Sequence, residues 1–197
     1  MLPLLVVVAG MAAMAVEMAA SRLIAPYFGT SLYIWGVLIG LVLVYLSAGY
    51  WVGGLLADRH PRKRIFLGIM VLAGLAIAAV AWIAPGVLAL SEASTQGLRN
   101  GVVWGAILGC LLLFSVPTML LGSLNPFAVR LSLSGVTGAG RASGTVFGLT
   151  TLGSLAGTFG SVFYLMPSYG TRATLLLTAA CTVAASLLGS WLWRAPA

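Results

Sequence analysis

Glu17 sits inside a long apolar run, and Arg22 follows it by five residues. An ionised carboxylate in hydrocarbon is costly unless it is paired, hydrated or protonated. Two roles suit such a group. It could couple protons or hold a substrate, or it could anchor structure by pairing with Arg22 or with backbone groups of another helix. The second is favoured, because no other acid lies within an apolar run to form a relay. Asn125, followed by Pro126, joins Glu17 and Arg22 as a candidate membrane polar site, with Ser115, Thr118 and Ser123 nearby. The hydroxyls of Thr150, Thr151, Ser154, Thr158 and Ser161 lie among glycines. In membrane helices such hydroxyls commonly bond back to a carbonyl one turn earlier.

The densest charge is at residues 54–64, GLLADRHPRKR, with Asp58, the single histidine His60, and Arg59, Arg62, Lys63 and Arg64. Neither acid–base catalysis nor nucleic-acid binding fits this patch well. No serine–histidine–acid set exists, no glycine-rich phosphate loop follows a strand, and the bases elsewhere are mostly single residues between apolar runs. Cys110 and Cys181 each lie in such a run without a second ligand nearby, so they read as small apolar fillers. A metal site needs clustered ligands. The pattern therefore calls for no metal, no cofactor, no nucleic-acid partner and no active site, and it leaves a bound lipid or pigment open.

The elements that carry these residues are set by composition. The chain is 61% hydrophobic and 7% charged, whereas soluble domains carry about a quarter charged residues. A membrane span needs roughly 20 largely apolar residues. The apolar runs predict six helices, over about 3–24, 32–57, 65–84, 101–121, 144–166 and 173–193, in a single transmembrane domain. The first has no basic leader and no convincing cleavage site, so it reads as a retained helix. PYFG at 26–29 is expected to end it, Pro85-Gly86 to end the third, and the turn PSYGTR at 167–172 to separate the last two. A Gly- and Ser-rich connection is expected over 122–143, with an amphipathic interfacial helix at about 125–134.

Lys and Arg cluster on the cytoplasmic side of membrane proteins. With both termini inside, Arg59, Arg62, Lys63, Arg64, Arg130, Arg141 and Arg194 lie inside, and Arg22, Arg99 and Arg172 lie outside. Six helices with an N-in, C-in orientation follow. Between lipid-embedded helices there is little hydrophobic drive, so close backbone approach must do the packing. The pairs Gly36/Gly40, Gly49/Gly53, Gly105/Gly109, Gly144/Gly148 and Gly153/Gly157 have the small-xxx-small spacing and predict packed faces on the second, fourth and fifth spans.

Two resemblances refine this. The stretch at 54–64 resembles the loop G-x-x-x-D-R-x-G-R-K/R between helices 2 and 3 of major facilitator transporters. Gly54, Asp58, Arg59, Arg62 and Lys63 fit it, and Pro61 replaces the usual glycine. It implies half of such a fold, with Asp58, Arg59 and Arg62 gripping a second six-helix half or another partner. More broadly, EMAASRLIAPYFGTSLYIWGVLIG and PTMLLGSLNPFAVRLSLSGVTGAGRASGTVFGLTTLGSLAGTFGSVFYLMPSYGTRATLLL resemble the membrane-embedded N-terminal region of proteins described as fused major facilitator/spermidine synthases. Glu17 and Arg22 match its opening pair. Gly140, Arg141, Gly144, Phe147, Thr151, Gly153 and Ser154 match its run G-R-x-x-G-x-x-(Y/F)-x-x-x-T-x-G-(S/A). The resemblance implies a membrane module whose aminopropyltransferase-like activity, if any, resides in another chain.

The resulting expectation is a non-catalytic integral protein of a bacterial inner membrane. Its partners would be the bilayer and another membrane or cytoplasmic chain. A half-size transporter acting as a homodimer, and an accessory subunit of an energy-converting complex, are the alternatives. Polyamine transport by this chain alone is disfavoured, because a polycation needs several carboxylates and the sequence has three acids in all.

Overall fold

Long apolar runs in lipid have to satisfy their own backbone, and only helices do so within one segment. In a computed structural model, which describes residues 1–133 and 138–193, the described residues are helical with no strand. The helices are α1 (Leu2–Phe28), α2 (Leu32–Arg59), α3 (Lys63–Thr95), α4 (Gly101–Ser132), α5 (Ala139–Phe159) and α6 (Met166–Leu192). A π-helical turn, Gly160–Leu165, joins the last two. Five stretches are long and apolar enough to cross a bilayer: α1 to α4 and the continuous 54-residue stretch Ala139–Leu192.

That last stretch is not one rod. Gly170 has φ 79° and ψ 168°, a region essentially restricted to glycine. Gly153 lies against Val7, and Gly189 lies against Leu5 and Leu67. Two residues so far apart in sequence can both meet the first turns of α1 only if the chain doubles back between them. α5 therefore runs parallel to α1, and α6 returns antiparallel to it.

Four of the six helices end beyond the expected positions, and in α1 and α3 a proline read as a stop is the reason. α1 continues over Pro26 to Phe28, α3 runs through Pro85 to Thr95, and α4 runs through Pro117 and Pro126 to Ser132. A proline removes one hydrogen bond. Ending a helix leaves four carbonyls or four N–H groups without partners, so continuation costs less in lipid. PYFG and Pro85-Gly86 are thus not helix stops, and α1 ends only at Gly29, with φ 77°. Likewise Pro167 belongs to α6, and the break expected across 167–172 is confined to Gly170.

The expected connection over 122–143 is also mostly helix. Residues 125–132 form the last two turns of α4 and not a separate interfacial helix; residue 134 lies outside the described residues, as does Arg194. The physical reason is burial. Phe127 and Ala128 are fully buried, and Phe127 packs on Phe66 of α3 with ring centroids 6.1 Å apart.

α4 and α1 are central. α2 packs chiefly on α4, α3 on α4 and α6, and α5 on α1, which also meets α4 and α6. Phe66, Met70, Leu88, Phe114 and Phe127 form the large side chains of the core. α3 and α6 are clipped at two levels. Lys63 Nζ lies 5.1 Å from the Trp193 ring, and the Arg172 guanidinium lies 3.8 Å from the Trp82 ring. Between these levels Gly74 admits Val183 and Ala179, and the Ser186 hydroxyl donates to the Leu67 carbonyl at 2.8 Å.

Candidate functional site

Glu17 and Arg22 share a helix but not a face. Five residues at 3.6 per turn rotate a side chain by about 140°, which points the two groups apart. The single ion pair among the described residues is Asp58–Arg130, so the expected Glu17–Arg22 pair does not form. Glu17 is half-buried and faces a crevice between α1, α2 and α4 lined by Val42, Leu46, Phe114, Thr118 and Leu121. The free space there is about 10 Å³, room for one water at most (about 10–15 Å³). Glu17 therefore does not open onto a ligand-sized chamber.

Asn125 belongs to a different level. Its Oδ1 accepts from the Thr150 hydroxyl at 2.9 Å, tying α4 to α5. That hydroxyl also lies 2.9 Å from the Val146 carbonyl. Thr150 adjoins Gly10, roughly two turns along α1 from Glu17. The three residues expected to form one polar site are thus dispersed: Asn125 fastens helices, Glu17 faces a narrow crevice, and Arg22 lines an open groove.

The charged loop is assembled within the chain. Asp58 Oδ1 lies 3.3 Å from Arg130 Nε, fastening the end of α2 to the end of α4. Gly54 adjoins Pro126. Arg59, His60, Arg62 and Arg64 are exposed, and Lys63 stands over Trp193. Helix ends segregate the bases. Arg59, Arg62, Lys63, Arg64, Arg130 and Arg141 lie at the end of the bundle marked by Asp58, and Arg22, Arg99 and Arg172 lie towards the end marked by Phe28 and Gly170.

The glycine pairs divide into two groups. A Cβ on Gly153 or Gly157 would collide with the carbonyls of Val7 or Met11, and one on Gly49 or Gly53 with the backbone of Met119 or Ser123. Gly105 and Gly109 admit Phe28, Thr95 and Leu88. These six seat helices against each other. Gly36 and Gly40 on α2, and Gly144 and Gly148 on α5, are exposed with nothing within 4 Å of a built Cβ. Packing within the chain does not use them, contrary to expectation.

Sequence reasoning missed Arg130 as the partner of Asp58, and it missed the close-contact roles of Gly10, Gly74, Gly122 and Gly189. Each of these is isolated from a second glycine four residues away, so spacing alone gave no signal. Ser186 carries none either, because its acceptor lies 119 residues away in sequence. Among the described residues no three His, Cys, Asp or Glu side chains gather as a metal site. Comparison with protein families, with curated proteins and with solved structures finds no match to this chain.

Proposed function

We propose that the protein is a non-catalytic polytopic membrane module that assembles with another protein. In this reading it has six membrane-crossing helices, N-in and C-in, in an arrangement like half of a major facilitator. The reversal at Gly170 supports counting the Ala139–Leu192 stretch as two crossings. The segregation of six described bases to one end supports that end as the cytoplasmic one. The likeness of 54–64 to the facilitator loop, and of the chain to the membrane part of spermidine-synthase fusions, rests on the sequence motifs alone. A bacterial inner membrane is the setting the reading implies.

One observation carries the assembly reading. Six glycines of the paired type are used inside the chain, four against a neighbouring backbone and two against side chains, and four of the same spacing are left bare on α2 and α5. Glycine costs helix stability, about 1 kcal/mol against alanine, and in lipid it serves to let another helix approach. Bare glycine pairs on two helices are therefore seats for helices of another chain. With Asp58 engaged by Arg130, the exposed Arg59 and Arg62 are free for contact with a partner.

The test is purification of the tagged chain in mild detergent, for the native protein and for the variants G36L/G40L and G144L/G148L. A stoichiometric partner retained by the native chain and lost from either variant, with unchanged thermal stability, supports the reading. A monodisperse monomer in all cases refutes it. A homodimer broken by the same changes selects the half-size transporter form instead.

A further inference from the structure

The groove that holds Arg22 is open, apolar and unfilled by any side chain of the protein, with a volume of about 330 Å³. That is at the lower end of ligand sites, which span about 300–1,000 Å³. Its walls come from the second half of α1, the first turns of α2, and Val162 and Met166 of the π-turn and α6. Along α1 it runs from Met18 to Gly29, roughly 16 Å at about 1.5 Å per residue. One leaflet of the hydrocarbon core is about 15 Å deep, half of about 30 Å. The groove thus has the length of one leaflet and starts at the helix junction, where chain meets headgroups.

Charge completes the picture. Arg22 is exposed and lines this groove, and none of the chain's three acids pairs with it. A guanidinium at the edge of hydrocarbon requires an anionic partner or hydration, and its fork binds phosphate oxygens in bidentate fashion. Trp35 lines the same groove, and tryptophan favours the headgroup level. We infer that this groove is the seat of one anionic glycerophospholipid, its phosphate on Arg22 and one acyl chain lying between α1, α2 and the π-turn. The site depends on the chain crossing a membrane and is independent of any protein partner.

The experiment is native mass spectrometry of the full chain released from nanodiscs of phosphatidylglycerol and phosphatidylcholine in equal parts. Native protein, R22Q, A25F and the control R141Q are compared, each first checked for an unchanged melting temperature. The native chain and R141Q should keep one phosphatidylglycerol, favoured about fivefold, the weight of one basic side chain against anionic lipid. R22Q should lose the preference. A25F, which puts a ring into the groove and leaves Arg22 in place, should lose the bound lipid. Preference persisting in R22Q, or a bound lipid persisting in A25F, overturns the site. Displacement of the adduct by millimolar inorganic phosphate reassigns it to a free anion and overturns the lipid reading.

Discussion

At the scale of single residues, glycine carries most of the specificity in this protein, and its value depends on what it faces. Gly157 is in backbone contact with Met11, so G157A has to push α5 from α1. A loss of about 1–3 kcal/mol is expected, the usual cost of overpacking, read as a lower melting temperature in detergent. G148A, with open space around it, should leave the isolated chain equally stable or raise it by up to about 1 kcal/mol. If both substitutions cost the same, the division between packed and bare glycines is wrong. The Asp58–Arg130 pair presents a different balance. Its side chains are 42% exposed for Arg130 and 75% for Asp58, and pairs so open to solvent contribute about 0–1 kcal/mol. D58N should therefore shift the melting temperature little, and a large loss would show that the loop depends on this contact more than its exposure allows.

At the scale of elements, the helices were legible and their ends were not. Apolar run length is enough to mark the first four helices and the apolar stretch Ala139–Leu192, because the backbone requirement in lipid is absolute. Proline misled because its penalty is one hydrogen bond in these helices and not a stop, as Pro26 and Pro85 show. Which way a helix faces was scarcely legible. In water the polar stripe reveals the outside, but in lipid both the core and the surroundings are apolar, so Gly144/Gly148 and Gly153/Gly157 look alike in sequence and differ in the fold. The residues of the candidate polar site lie apart for a related reason: helical rotation separates Glu17 from Arg22, while the contact between Asn125 and Thr150 is set by tertiary packing. Two variants test the elements themselves. G170A puts a Cβ where φ is 79°, costing about 1–3 kcal/mol and loosening α6 from α3. S186A removes a buried bond between α6 and α3 and should cost about 0.6–1.7 kcal/mol. S190A, whose exposed hydroxyl bonds only to Leu187 of its own helix, should cost almost nothing.

At the scale of the whole molecule, the proposed orientation puts 59–64 and Gly97 on opposite sides of the membrane. In a chain cleared of thiols by C110A/C181A, P61C should react with an impermeant maleimide only after the membrane is opened, and G97C should react in intact cells. The reverse pattern would invert the topology. The reversal at Gly170 also bears on how such a chain is made. α5 has only Val146, Gly153 and Gly157 buried, it packs chiefly on α1, and it continues through the π-helical turn into α6. In the proposed six-crossing orientation the two halves of this hairpin would enter the bilayer as a pair, with Arg172 near the bend. Until they arrive, the face of α1 around Val7 to Met11 lacks its neighbour. During biosynthesis that face stays uncovered while α2 to α4 are made, and there a wrong helix would compete.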